Sequence, residues 1–148
     1  MAAEIKPSDL EGAWHLRSWL IHYPGGREAG APFGNDPGGL LLYSPDGWMS
    51  ATVHRADRAA FPAGVSPRQL DDGLIAEAYW SYFQYAGTWR VEGDCVIHHV
   101  RHSLNPAMVG TEQVRQIQLN RPQLILTGVE PMPAGRRTHE LQWFRLES

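Results

Sequence analysis

Residues 95–119, CVIHHVRHSLNPAMVGTEQVRQIQL, read as two strands joined by a turn-rich loop, CVIHHVRHS, then LNPAMVG, then TEQVRQIQL. This stretch carries three of the seven histidines, His98, His99 and His102. The same texture continues on both sides of it. Upstream stand AGTWRV and a turn, EGD; downstream come the turn NRPQ, then LILTGV, a loop EPMPAGRR, and THELQWFRL. Short strands every ~8–12 residues with turn signals between them point to an antiparallel sandwich or barrel.

The N-terminal half adds the remaining strands. In GAWHLRSWLIHY, Trp14, Leu16, Ser18 and Leu20 share one face, the better core face, and His15, Arg17, Trp19 and Ile21 share the other. A long connection rich in Pro and Gly follows, residues 24–39, placed to arch over one end of the fold. Ser44-Pro45-Asp46-Gly47 then turns one short strand into the next, with Met49, Ala51 and Val53 on one face of the second. The total is about eight strands, the number whose closed barrel holds side chains or one small ligand.

Between the third and fourth strands the pattern changes to helix. Ser66 suits an N-cap, Pro67 the first helical position and Gln69 the capping-box position, so a helix is expected over about 66–82. Its stripe Leu70, Leu74, Ala78 and Tyr82, flanked by Ile75 and Tyr79, calls for a partner surface, and the open end of the barrel is the obvious one. The fold class expected is therefore all-β, an antiparallel eight-stranded barrel with a helical insertion between strands three and four, in one domain over 1–148.

Composition narrows the function. A net charge of -3, from 13 Lys+Arg against 16 Asp+Glu, gives no basic footprint for nucleic acid. The single Cys95 precludes an internal disulfide and suits a reducing compartment. No run approaches the ~20 apolar residues of a membrane span, so a soluble, cytoplasmic protein is expected. Six tryptophans either line a cavity or fill a core with large side chains.

Strand geometry sorts the candidate chemistry. His98 and His99 are adjacent and point to opposite faces, so they do not chelate one ion together. His98 and His102 share a face but lie ~13 Å apart at ~3.3 Å per residue, so no metal is expected. Val96 and Val100 share the face of His98, which directs His98 inward; Arg101 shares the face of His99. At such a position a buried neutral imidazole held by a tyrosine or backbone partner and a general acid/base or ligand hydrogen-bonder are both chemically sound. Ile117 and Leu119 place Gln113 and Arg115 on their own face, which brings Arg115 into the barrel. A guanidinium there needs a partner, either a protein carboxylate or a ligand's carboxylate or enolate oxygen. Ser50 and Ser103 lack a nucleophile elbow, and the glycine pairs do not open helices, so neither covalent catalysis nor a nucleotide cofactor is implied.

Several quoted segments also carry a family resemblance. Gly12-x-Trp14 in the first strand with Arg145 in the last resembles the lipocalin signature, in which an arginine packs across the first-strand tryptophan. Tyr43-Ser44-Pro45-Asp46-Gly47-Trp48-Met49-Ser50-Ala51, His98-His99-Val100, Ser103-Leu104-Asn105-Pro106 and the run from Val109 to Arg115 are similar to the small intracellular bacterial and fungal lipocalin-like domain proteins. The resemblance covers Gly12 to Arg145 and implies the eight-stranded barrel with its helical insertion. Related small barrels include ligand carriers, isomerases and cyclases.

The expected function is binding of a small, largely hydrophobic or aromatic molecule with a polar or anionic group. Its expected contacts are Met49, Tyr79, Tyr85, Trp89, His99, Asn105, Met108, Gln113 and Trp143. The alternative is a cofactor-free isomerase, cyclase or lyase with His98 as acid/base, Arg115 as oxyanion stabiliser and Tyr82 orienting the substrate. A second alternative is a homodimeric interaction module with an exposed aromatic edge. Nucleic acid and membrane are not expected partners.

Overall fold

A computed structural model describes residues 4–145. Eight strands run in chain order around one closed antiparallel barrel: β1 (Gly12–His22), β2 (Gly38–Tyr43), β3 (Trp48–His54), β4 (Tyr82–Glu92), β5 (Cys95–Ser103), β6 (Glu112–Asn120), β7 (Gln123–Met132) and β8 (Gly135–Phe144). β8 pairs back onto β1, from Phe144 opposite His15 to Thr138 opposite His22, which leaves no free sheet edge. Helix α1 (Pro7–Leu10) precedes β1, and α2 (Asp72–Trp80) lies between β3 and β4.

Two irregularities set the phase of the inner face. The β1–β8 register shifts between Leu16 and Ser18, leaving Arg17 as an extra residue. Trp14 and Leu16 are therefore buried at one end, whereas Trp19 and Ile21, not Ser18 and Leu20, turn toward the interior beyond the bulge. The single inner face expected for this strand thus changes sides half-way. A second shift, between Ala86 and Gly87, leaves Arg101 unpaired on β5. His98 and Val100 point inward, but beyond the bulge His102 is exposed, so it does not share the face of His98 as simple alternation requires. Gly87 permits the bulge: a Cβ there would sit 1.9 Å from the carbonyl oxygen of His99.

Two more expectations change. The residues expected as a loop, Glu130 to Arg137, instead prolong the last hairpin, with Glu130 opposite Arg137 and Met132 opposite Gly135. The insertion is not one helix over 66–82. Ser66 accepts from the backbone N–H of Arg68, but this caps only a 3-10 turn, Pro67–Gln69. Leu70 and Asp71 are extended, and α2 begins at Asp72, an acidic residue at the positive end of the helix dipole.

The end of the barrel holding α1 is sealed. Trp14 donates its indole N–H to the Leu10 carbonyl at 2.9 Å, and the Arg145 guanidinium lies 4.1 Å over the Trp14 ring. Arg145 also donates to the Asp9 carbonyl, and the Asp9 carboxylate pairs with Arg121. Leu10, Trp14, Tyr43, Met49 and Trp89 are buried there in one cluster. Each such side chain removed from water contributes ~1.5–3 kcal/mol.

Candidate functional site

From the sealed end, the inner faces of the strands open into a cavity of about 810 Å³, within the ~300–1,000 Å³ of small-molecule pockets. Trp19 and Ile21 of β1, Leu41 of β2, Val53 of β3, Phe83 of β4, Leu126 of β7 and Leu141 of β8 form apolar walls. Pro32, Asn105 and Met108 come from the connections at its mouth. The loop between β5 and β6 is thus at the mouth, held by Asn105, whose side-chain oxygen accepts from Ala107 N–H and caps the 3-10 turn Pro106–Met108.

Polar groups stand at two levels. Deep in the barrel His98, 2% exposed, is clamped by two tyrosines from other strands. Tyr43 Oη lies 2.6 Å from Nε2 and Tyr85 Oη lies 2.6 Å from Nδ1. Burial pushes the imidazole pKa down to about 3, with the charge of Arg115 adding to the shift, so the ring is neutral at pH 7. Burial raises both phenol pKa values, only partly opposed by Arg115. All three groups therefore stay uncharged at pH 7.

Arg115 points into the cavity, as its alternation with buried Ile117 predicts. Its Nη1 donates to the Val114 carbonyl at 3.0 Å and Nη2 to Gln113 Oε1 at 3.4 Å, while Gln113 is held through Nε2 by Thr111 Oγ1 at 2.9 Å. Among the described residues no carboxylate pairs with it. Gly128, across from it on β7, makes room: a Cβ there would approach Nη1 to 2.8 Å. Trp143 also lines the cavity, is 2% exposed, and its indole N–H has no partner among the described residues.

The second level is the rim. Arg137 binds Glu130 through Nε at 2.7 Å and Nη2 at 2.9 Å, and His139 Nε2 lies 3.0 Å from the same carboxylate. These contacts, Arg137 first, bring the Glu130 pKa down to about 2 despite partial burial. Trp19 donates its indole N–H to His139 Nδ1 at 3.2 Å and stacks on the imidazole. This rim is internally satisfied; the unspent donors are deeper.

Of the sequence-derived candidates, His98, Arg115, Tyr85, Asn105, Met108, Gln113 and Trp143 line the cavity. Five do not. Tyr82 is three residues from Tyr85 and so faces outward, stacked on His54 at 5.9 Å with Arg58 over its ring. Tyr79 is on α2, none of whose residues is buried; Ile75 and Trp80 are 37% and 72% exposed. The helix does not cap the barrel as its stripe suggested, and Arg58 fastens its end through the Ala78 carbonyl and Ser81 Oγ. Trp89 faces inward, but ~13 Å further along β4 than Tyr85, in the sealed end, where it packs on Tyr43 at 4.6 Å. Met49 is opposite Tyr43 in the same cluster. His99 faces away from His98.

Tyr43, Trp19, Gly128, Glu130, Arg137 and His139 are site residues that the sequence pattern does not single out. Tyr43 lies in a run, LLLY, whose apolar residues occupy both faces and so announce no phase. Trp19 is displaced by the bulge, and Glu130 and Arg137 of the rim lie in residues expected as loop, with His139 in the strand that follows. Elsewhere, burial and then Asp94 push the Cys95 thiol pKa up, which disfavours a nucleophilic thiolate. Among the described residues no cluster of three or more His, Cys, Asp or Glu is arranged to hold a metal ion, and no helix is long and apolar enough to cross a membrane.

A family model, the lipocalin-like domain, matches residues 11–146. The chain belongs to the lipocalin-like domain family. No curated protein matches it. Membership associates this lipocalin-like chain with small-molecule binding in general, and what its cavity selects has to be argued from its own side chains.

Proposed function

We propose that the protein binds a small, largely hydrophobic molecule whose carboxylate or other anionic oxygen reaches Arg115. One observation carries this reading: a guanidinium in the wall of an apolar cavity, without a carboxylate partner among the described residues. A half-buried cation facing apolar walls without a counter-charge carries a desolvation cost, and a ligand anion relieves it while its apolar body covers Trp19, Phe83, Leu126 and Leu141. Asn105 and Met108 meet the ligand at the mouth.

Thermal-shift screening and native mass spectrometry with aromatic and fatty acids test this. A carboxylic acid that raises the melting temperature, outperforms its alcohol, and is recovered unchanged supports the binder. If neutral apolar compounds bind as well as the acids, the anionic head is wrong.

The Tyr43–His98–Tyr85 chain supports a second reading, a cofactor-free isomerase, cyclase or lyase. In it Tyr85 is the group that meets the substrate oxygen, because both nitrogens of His98 are already hydrogen-bonded, and Arg115 stabilises the developing negative charge. Turnover of a bound acid, lost in Tyr85→Phe with binding retained, would establish this reading over simple binding.

A further inference from the structure

Each nitrogen of His98 meets a phenol, and a neutral imidazole has one N–H and one lone pair. One phenol must therefore donate to the ring and the other must accept from it. The two phenols are not equivalent. Tyr43 is 2% exposed, lies outside the cavity wall, and has His98 Nε2 as the one hydrogen-bond partner of its hydroxyl among the described residues. If Nε2 carried the proton, the Tyr43 O–H would be buried with no acceptor, a loss of ~1–3 kcal/mol. Tyr85, by contrast, lines the cavity, so its hydrogen can point there. The buried phenol therefore dictates the direction of the whole chain: Tyr43 O–H to Nε2, Nδ1–H to Tyr85 Oη, and Tyr85 O–H into the cavity.

We propose that Tyr43, through His98, makes Tyr85 a committed hydrogen-bond donor, so that the deep polar site selects ligands presenting an acceptor-only oxygen, a carboxylate or an enolate, over those presenting a donor. This rests on the binding function above and specifies its ligand class. Arg115 offers only N–H groups to the same space, and Gln113 turns its own oxygen to Arg115 rather than to a ligand. The Trp143 indole N–H is a further unpartnered donor in the wall. Tyr43 touches no ligand and is a positioning residue; Tyr85 is the contact.

Nitrogen-15 NMR of the unliganded full chain at pH 7 reads the tautomer directly. The expected result is a protonated Nδ1 and an unprotonated Nε2 on His98; a protonated Nε2 overturns the inference without touching the binding function. The second measurement is calorimetric titration with 2-naphthoate and its isosteric 2-naphthamide, in the unmutated protein and in Tyr43→Phe. Removing the Tyr43 hydroxyl frees Tyr85 to donate back to Nδ1 when a ligand N–H faces it, so the preference for the carboxylate narrows by about fivefold. An unchanged preference overturns the inference. If neither probe binds the unmutated protein while Nδ1 carries the proton, the proposed selectivity and the anion-binding function fail together, a result distinct from the wrong tautomer alone.

Discussion

The sealed end of the barrel and the cavity above it are built from similar side chains and reach different outcomes. At the sealed end Trp14 has its indole N–H on the Leu10 carbonyl, and Arg145 covers the ring while Asp9 and Arg121 bring a carboxylate alongside. In the cavity above it Trp143, opposite Leu16 at the floor, keeps an unpartnered indole N–H, and Arg115 in the wall has no carboxylate partner among the described residues. Burial alone does not separate them, since Trp14 and Trp143 are 1% and 2% exposed. The partner of the indole N–H does, present for Trp14 and absent for Trp143. Where α1 folds in, the chain supplies carbonyl acceptors to the Trp14 indole and to one Arg145 nitrogen, with Arg145 Nε left unpartnered; where side chains face the cavity, donors remain for something else. His98 is the seam between the two, bonded to Tyr43 on the sealed side and Tyr85 on the open side.

The contrast can be broken from either side. Trp14→Ala, at the sealed end, is expected to cost about 3–5 kcal/mol of stability, measured by urea denaturation, while leaving any preference for acids intact. Changed selectivity in a variant that still folds would show that the ends are not separate.

The seam predicts a pH dependence. Its folded pKa of about 3 is depressed below the unfolded value, ~6.5. The unfolded chain therefore binds the extra proton between those values. The contribution of His98 is fully present above pH ~6.5 and is lost as pH falls toward 3, at up to ~1.4 kcal/mol per pH unit. Urea midpoints between pH 7 and 4 should fall accordingly, with the His98 resonances still those of a neutral ring at pH 5; a protonated His98 at pH 5 in the folded protein would contradict the clamp.

At the open end the expected effects are on binding more than stability. Arg115→Met should weaken a bound carboxylate about 10- to 100-fold while the melting temperature of the unliganded protein stays level or rises. A large loss of stability would mean that the guanidinium is spent within the fold. Gly128→Ala is the finest probe. Its methyl would crowd Arg115 Nη1, and by displacing a flexible side chain rather than backbone it should cost about threefold in carboxylate affinity. The same substitution should leave binding of neutral apolar compounds unaltered.

Much of this was legible beforehand. Turn residues punctuate the strands, and alternation against Val96, Val100 and Ile117 turns His98 and Arg115 inward, where the structure has them. The same rule, applied to Tyr82 and Tyr85, assigns them opposite faces, which is how they stand. The fate of the helical stripe was not legible. Hydrophobic periodicity shows that a face wants cover but not whether the connections bring it over the barrel, and Leu70 and Asp71 break the helix before its stripe is complete.

Local pattern by itself determined the class of the fold, its strand number and the inward direction of two polar side chains, because the period of a strand and the chemistry of turns are properties of neighbours in the chain. Tertiary structure alone decided the rest. The bulges at Arg17 and Arg101 change which residues face inward, and a bulge is a property of two paired strands. The clamp on His98 joins residues 43, 85 and 98 from three strands, and its hydrogen-bond direction follows from which phenol is cut off from the cavity, a distinction that exists only once the barrel has closed.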